Sequence, residues 1–360
     1  MDHLANEAEI EGLRPGRVII LSSSFQGTPR AMQQNYQDAM AIVRKYGKPD
    51  LFITFTCNPT WREIKEQLFP GQTPSDRPDL ITRVFKLKVN ELIEDIFKKR
   101  ILGRTIVNVF VIEFQKRGLP HCHMLIILTN EYKPKDENHI DRIVCSEIPD
   151  HVQFPQLYEC VRRHMIHGPC GTLNPHSPCM EDGKCSKEFP KEFQNVTMAN
   201  KDGYPRYRRR DNGITMTISK YEVDNRWIVP YNPYLLMKYN AHINVEICAT
   251  VKSIKYLFKY IYKGHDCANI KYVSAPEAAW RLFEFPLHDK SHAIIRLVVH
   301  LPNQQPVYFA EGNEREALER AAMKDMTLTA WFKLNSKNPD ARQYLYDDIP
   351  QHFVFERNGT

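Results

Sequence analysis

No uninterrupted hydrophobic run in the sequence approaches the roughly 20 residues that a membrane-spanning helix needs. We therefore expect no membrane partner, and we expect no signal peptide because Met1-Asp2-His3 does not begin one. A disulfide framework is also unexpected, since the nine cysteines are an odd number scattered from Cys57 to Cys267. Reduced thiols, and hence a location in the cytosol or nucleus, are the simpler expectation.

Internal repeats, low-complexity segments and a Gly-x-x-x-x-Gly-Lys-Ser/Thr phosphate loop are missing as well. Without that loop, this chain is expected neither to hydrolyse ATP nor to unwind DNA itself. A strong charge of one sign is lacking too, because 49 basic residues against 43 acidic ones leave a net charge of +6. So mild an excess permits a nucleic-acid partner without indicating one.

Hydrophobic periodicity predicts a mixed α+β chain with a substantial core. Helices are expected over residues 30–45, 81–99, 253–263, 276–282, 315–333 and 339–346. Strands are expected over residues 17–21, 51–56, 105–115 and 121–128. The last two strands are joined by residues 116–120, a connector of hairpin length, so we expect them to pair.

Two histidines in the last of these strands form a candidate metal site. Side chains alternate along a strand, so His121 and His123 share one face while Cys122 points the other way. Across the predicted hairpin, Glu113 and Gln115 share a face within reach of the imidazoles. Two imidazoles and a carboxylate suit Mg²⁺ or Mn²⁺. Glu113 is preferred for its charge, with Gln115 as the alternative; the competing interpretation is two histidines that merely end a strand.

The predicted helix over residues 253–263 carries a candidate nucleophile pair. On a helical wheel Tyr256 and Tyr260 lie about 40° apart, opposite the apolar arc. The same side carries three lysines, Lys252, Lys259 and Lys263. A phenol ionises only near pH ~10, so a nucleophilic tyrosine needs neighbouring cations, a metal-polarised phosphate or a base. We expect Lys263 to assist catalysis and Lys252 and Lys259 to bind DNA; the alternative is an amphipathic helix whose tyrosines cap the core edge.

Residues 158–193 are crowded with cysteine, histidine, glycine and proline and show little periodicity, which predicts a loop-rich insert that needs a staple. Five potential zinc ligands lie there: His164, His167, Cys170, Cys179 and Cys185. Four of them could close a tetrahedral zinc site, and the favoured set is His167, Cys170, Cys179 and Cys185. No Cys-x-x-Cys pair is present, so unrelated buried or free thiols are an equal alternative.

A basic run, Arg208, Arg209 and Arg210, is preceded by two tyrosines, Tyr204 and Tyr207. Guanidinium groups could hold a DNA backbone while the aromatic rings stack on its bases. A solvated loop is the competing interpretation.

These motifs together resemble, in the same order, the replication initiator (Rep) domain of Helitron transposons, a branch of the HUH endonucleases. Residues 51–58 resemble the first motif of that family, residues 113–123 the second, and residues 255–263 the two-tyrosine third. Similarity extends to residues 229–234, 238–240 and 280–300. Ser22 stands where the family pattern usually has proline.

The resemblance implies a central antiparallel sheet that carries the histidines, flanked by helices, with the tyrosine helix over the metal. It implies an enzyme that nicks and rejoins single-stranded DNA at transposon ends. His121, His123 and Glu113 would hold the divalent cation, and Tyr256 or Tyr260 would attack phosphorus. The products would be a 5′-phosphotyrosine link and a free 3′-hydroxyl, which can be resealed without ATP.

The resemblance also implies a domain organisation. Residues 17–300 would form the Rep endonuclease domain, residues 1–16 a flexible N-terminus, and residues 301–360 a helical extension toward a helicase domain that this chain lacks. A helicase supplied in trans is therefore an expected partner, and a nuclear location is expected. The alternative of another class is a catalytically silent or domesticated DNA-binding remnant.

Overall fold

The computed structural model describes residues 29–114, 118–198, 205–248 and 274–356, the last stretch with gaps at 302–303, 306, 308, 310–311 and 324. The chain divides into two compact units, residues 1–292 and residues 293–360. The strand expected over residues 17–21 and the tyrosine helix expected over residues 253–263 lie outside the described residues.

The helices described in the first unit are α1 (Pro29–Tyr46), α2 (Arg62–Lys65), α3 (Pro78–Phe97), α4 (Glu137–Ile143), α5 (Pro155–His164), α6 (Pro233–Tyr239) and α7 (Ala275–Leu282). Its strands are β1 (Leu51–Thr56), β2 (Thr105–Phe114), β3 (Pro120–Leu128), β4 (Met180–Glu181), β5 (Lys184–Cys185), β6 (Met216–Ile218), β7 (Tyr221–Val223), β8 (Ile243–Ile247) and β9 (His288–Lys290). None of the helices described is long and apolar enough to cross a membrane.

Five strands form one antiparallel sheet in the order β8-β1-β3-β2-β9. The predicted hairpin is confirmed, because β2 pairs with β3 and sets Glu113 opposite His121. Gly118, in the connector, has φ +83°, a left-handed conformation that glycine adopts without steric cost. The predicted fold class is therefore confirmed: α+β, with a central antiparallel sheet flanked by helices and a segment rich in cysteine and histidine.

One face of the sheet builds the main core. Alternate residues of β1 enter it, and Phe55 packs its ring against Phe85 of α3 at 5.4 Å between centroids. Trp280 of α7 is fully buried in the same cluster, with its ring 6.3 Å from that of Phe85. Burying several aromatic side chains of this size contributes about 1.5–3 kcal/mol each. This face therefore carries the main core of the sheet, and the opposite face carries a smaller apolar cluster.

The opposite face is only partly apolar. Helix α1 contributes Ala39 to a small second cluster with Phe52, Leu125 and Cys248. Next to this cluster the same face carries polar side chains: Thr54, Thr56, Glu113, His121, His123 and Asn244. The histidines thus lie on the more polar face of the sheet.

The expected lack of regular structure is wrong for residues 158–164, which belong to α5. That helix begins with Pro155 at its first position, where a missing N–H costs nothing. It buries Leu157 and Val161, four residues apart and hence on one face. The rest of the insert has two two-residue strands, β4 and β5.

The second unit corrects two other predictions. The helix expected over residues 315–333 is divided into α8 (Glu314–Met323) and α9 (Thr327–Lys337). The break arises because the Thr329 hydroxyl accepts a hydrogen bond from the Met326 N–H and caps a new helix start. The helix expected over residues 339–346 is a 3₁₀ helix, Pro339–Gln343.

Candidate functional site

Strand alternation and the hairpin register bring three predicted metal ligands together. His121 and His123 lie on one face of β3, with ring centroids 4.5 Å apart. On the adjacent strand β2, the Oε2 atom of Glu113 lies 3.1 Å from the Nε2 atom of His123. The alternative ligand, Gln115, lies outside the described residues. Two imidazoles and one carboxylate therefore share a patch of the sheet surface.

Strand β1 orients the two imidazoles from the other side. The Oγ1 atom of Thr56 lies 2.6 Å from Nδ1 of His121, and that of Thr54 lies 3.4 Å from Nδ1 of His123. The ring of Phe52 stacks on the ring of His123 at 5.7 Å between centroids. A metal-binding histidine commonly uses its second nitrogen for such a hydrogen bond, which fixes the ring. The Nε2 atoms are then the candidate ligand atoms.

The electrostatics favour neutral imidazole at His121. Burial holds the pKa of His121 well below its usual range, and the neighbouring His123 and His242 lower it further. Only the deprotonated ring nitrogen can bind a metal ion. The site therefore keeps this ring in the form a cation requires, without competition from protons near neutral pH.

A cleft of about 1090 Å³ opens beside these residues. It is lined by Glu113, His121 and His123, and by residues of the Cys/His insert, including Lys187, Phe189 and Lys191. The insert and the histidine face therefore border the same space.

The cleft contains a histidine that the sequence patterns did not single out, His242. Its Nδ1–H donates to the backbone carbonyl of His164 at 2.7 Å, which leaves Nε2 without a proton. Burial lowers the pKa of His242, so the ring stays neutral. The signal that could have found it is its position directly before the alternating strand β8.

Four of the five zinc candidates converge. His167, Cys170, Cys179 and Cys185 place one potential ligand atom each within 4.8 Å of one another. The fifth candidate, His164, points elsewhere, with Nε2 3.0 Å from the Asn240 side-chain oxygen. This His/Cys₃ cluster could hold a metal ion of the zinc type.

The thiols of the cluster differ electrostatically. Burial, and then the adjacent Cys185 and Cys179, raise the pKa of Cys170 to about 12. The pKa of Cys185 is lowered instead: burial acts to raise it, but backbone N–H groups near its sulfur and the neighbouring thiols act more strongly to lower it. Cys185 is therefore the thiol that most readily supplies a thiolate.

The sheet-face triad is less tightly gathered than this cluster. Among the residues that the structure describes, the His/Cys₃ cluster is the group of three or more potential ligands whose atoms all lie within 4.8 Å. Glu113, His121 and His123 fit a divalent cation by donor type and by the hydrogen bonds that orient the rings.

The basic run Arg208, Arg209 and Arg210, predicted either to bind DNA or to form a solvated loop, makes hydrogen bonds and ion pairs within the fold. Arg209 is buried, and its Nη1 donates to the carbonyls of Ser146, Asn225 and Ile228 at 3.3, 2.6 and 2.7 Å. Arg208 and Arg210 both pair with the buried carboxylate Glu147, the second of them through two nitrogens. The tyrosine pair and Lys252, Lys259 and Lys263 lie outside the described residues.

One family model matches the N-terminal part of the chain, which contains the sheet-face triad. Residues 1–126 match the family model described as the Helitron helicase-like domain at N-terminus. This region is Helitron-related. The Helitron-like region contains Glu113, His121 and His123, whereas the His/Cys₃ cluster follows it. The match indicates a Helitron-type function, and no curated protein matches the chain.

Proposed function

We propose that this chain is a Helitron-type endonuclease that nicks and rejoins single-stranded DNA. One observation carries the proposal: Glu113, His121 and His123, which lie in the Helitron-like region, meet on one sheet face beside a cleft. Their side chains are those expected to bind a divalent cation next to a phosphate.

Each protein group has a role in this proposal. Glu113, His121 and His123 would hold Mg²⁺ or Mn²⁺, which when bound supplies positive charge to polarise the scissile phosphate. Thr56 and Thr54 keep the two rings oriented through their Nδ1 atoms. The buried, neutral state of His121 keeps its Nε2 lone pair available near pH 7.

The covalent step would use the tyrosine pair. The hydroxyl oxygen of Tyr256 or Tyr260 forms a bond to phosphorus and loses its proton, with Lys263 favouring the ionised phenol. The bond from phosphorus to the 3′-oxygen breaks, and that oxygen takes up a proton. One phosphodiester is exchanged for another of similar energy, so attack by a 3′-hydroxyl on the phosphotyrosine reseals the strand without ATP.

The proposed partners follow from this chemistry. The substrate would be single-stranded DNA at transposon ends, met in the nucleus. Strand separation would come from a helicase domain or a helicase protein, since residues 1–360 contain no Gly-x-x-x-x-Gly-Lys-Ser/Thr phosphate loop. Lys252 and Lys259 would contact the DNA beside the tyrosines.

The test is a covalent adduct assay. Purified protein is incubated with labelled single-stranded oligonucleotides of varied sequence and Mg²⁺ or Mn²⁺, then denatured and separated by size. We expect a protein–DNA adduct that is lost in the Tyr256→Phe, Tyr260→Phe double variant and kept in the matched control Tyr262→Phe. Folded protein that binds DNA but forms no adduct with any sequence would overturn the proposal and point to a DNA-binding remnant.

A further inference from the structure

The His/Cys₃ cluster is assembled by a tight hairpin. Strands β4 and β5 are joined by Asp182-Gly183, whose φ angles of +51° and +76° are those of a type I′ turn. The turn folds the chain back so that the N–H of Ser186 donates to the carbonyl of Cys179 at 2.8 Å. Cys179 and Cys185 are thereby brought together over a five-residue spacing instead of the usual two.

The other two ligands come from the segment before the hairpin. His167 is tied down by its backbone N–H, which donates to the carbonyl of Trp227 at 2.9 Å, and its Nε2 lies 3.5 Å from Sγ of Cys185. Cys170 is buried, and its Sγ lies 3.7 Å from the carbonyl oxygen of Phe189. Three sulfurs and one imidazole nitrogen form the donor set of a closed, four-coordinate structural zinc site.

Groups around the cluster support the ligands. The backbone N–H of Lys187 donates to Sγ of Cys185 at 3.4 Å, and the hydroxyl of Ser177 lies 3.3 Å from Sγ of Cys179. The ring of Phe189 stacks on that of His167 at 4.2 Å with an interplanar angle of 11°, which fixes the plane of the imidazole. Supporting contacts of this kind are typical of metal sites.

The segment needs such a staple because it has little else to hold it. Its strands are two residues long, and most residues from Glu181 to Pro190 are exposed. A disulfide would use two of the three thiols and leave the third thiol and the imidazole unused. A zinc ion engages all four ligands and closes the three loops between them.

This stapled segment forms one wall of the cleft that contains His121 and His123. The wall carries Lys187, Phe189 and Lys191, and also Glu188 and Glu192. The ammonium of Lys191 pairs with Glu188 at 3.2 Å and lies 5.3 Å from the centre of the Phe189 ring. The wall thus combines an aromatic ring, which His167 covers on one face, with two ammonium groups that could contact a nucleic-acid backbone. These are the features that bind single-stranded nucleic acid with little dependence on sequence.

From this geometry we infer that His167, Cys170, Cys179 and Cys185 bind a zinc ion that holds Lys187, Phe189 and Lys191 as a single-strand-binding wall of the cleft. The binding role of the wall extends the proposed function and rests on it, whereas the zinc site does not depend on that function. Zinc here is structural and distinct from the cation at Glu113.

The first measurement is the zinc content of the purified full chain by elemental analysis. We expect about one zinc per chain in the wild type, and loss of zinc in Cys179→Ser and Cys185→Ser. The matched control is Cys160→Ser, a thiol outside the cluster that lies near Asn240, and it should retain the ion. Wild-type protein without zinc after expression in zinc-supplemented medium would overturn the metal site, whether or not the variants fold.

The second measurement is the affinity for a labelled oligothymidine strand, by fluorescence anisotropy without divalent cation. Phe189→Leu should weaken binding by roughly 5- to 150-fold, the range expected for loss of one stacked base. Lys187→Gln should weaken it and reduce its salt dependence, whereas Lys220→Gln, an exposed lysine outside the cleft, should not. Unchanged affinity in both cleft variants, with zinc retained, would overturn the proposal that the wall binds single-stranded DNA.

These outcomes are separable from failure of the proposed nuclease. A chain that forms no tyrosine adduct but contains zinc and needs Phe189 for binding would refute the enzyme and support the present inference. An active enzyme with no zinc would do the reverse.

Discussion

The Glu113 carboxylate contacts the His123 imidazole across neighbouring strands, with Oε2 3.1 Å from Nε2. The carboxylate is partly exposed and the imidazole is buried, so the pair lies at the boundary between the sheet and the cleft. A carboxylate in this position can either hold the ring in place or join it in binding a cation. The two roles predict different effects of removing the charge.

Replacing Glu113 with glutamine removes the charge and keeps the size of the side chain. If the carboxylate binds the cation, metal affinity should fall by about 10- to 100-fold or more, because a neutral amide is a weaker ligand. The measurement is the rate of adduct formation against Mn²⁺ concentration. A curve identical to the wild type would show that Glu113 does not bind the ion.

The Thr56 hydroxyl, 2.6 Å from Nδ1 of His121, should act by positioning that ring. Thr56→Val keeps the shape of the side chain and removes the hydrogen bond. We therefore expect the affinity for Mn²⁺ to fall by about 10- to 100-fold. The rate at saturating cation should recover toward the wild type, which a defect in the chemical step would not allow. No change in the Mn²⁺ midpoint would exclude a positioning role.

Arg209 should matter for stability. In Arg209→Met, the carbonyls of Ser146, Asn225 and Ile228 lose a donor while buried, and each such loss costs about 1–3 kcal/mol. We therefore expect the free energy of unfolding, measured in urea, to fall by about 3 kcal/mol or more. Arg206→Met is the control, because its side chain is 62% exposed, and it should stay within about 0.5 kcal/mol.

Asp95 should contribute a pH-dependent part of the stability. Burial acts to raise the pKa of its carboxyl, but hydrogen bonds from Lys238, Lys99 and Tyr239 outweigh burial and lower it. An unfolded aspartate has a pKa near ~3.9, so this stabilisation is present above about pH 4 and is lost as the pH falls through the lower folded value.

Asp95→Asn should therefore lower the free energy of unfolding at pH 7, by about 3–5 kcal/mol for a buried ion pair left incomplete. The same variant should lose less stability than the wild type on acidification below about pH 4. Urea unfolding across that range measures both. Asp211→Asn, at an exposed position, is the matched control, and equal acid sensitivity in wild type and Asp95→Asn would contradict the assignment.

Local periodicity was sufficient for much of the fold. The β1 strand, the β2–β3 hairpin and helix α7 were predicted nearly to the residue, because each buries one face against the core and repeats its apolar residues accordingly. Strand β8 was missed, although Ile243, Val245 and Ile247 alternate with polar residues, since it is short and follows α6 closely. Its position at the sheet edge depends on its pairing with β1, a long-range contact that periodicity does not report.

The sheet-face triad was also accessible from the sequence. Two-residue alternation and a hairpin-length connector determine which side chains share a face, so the meeting of Glu113 with His123 required no knowledge of distant segments. The Asp182-Gly183 pair is an equally local signal for the pairing of Cys179 with Cys185, but it was not used to predict that pairing. A site carried by a single hairpin can therefore be predicted from local sequence patterns.

Tertiary structure alone decided the rest. Buried Arg209 donates to three carbonyls, His242 lines the cleft, and the Lys187–Lys191 wall lines the same cleft as His121. Each of these arrangements joins segments that are apart in the chain. Periodicity reports only on neighbours within a strand or a few helical turns. Which distant segments meet depends on how the whole core packs, because burial of apolar area is non-directional and only the complete fold determines where each polar group lies.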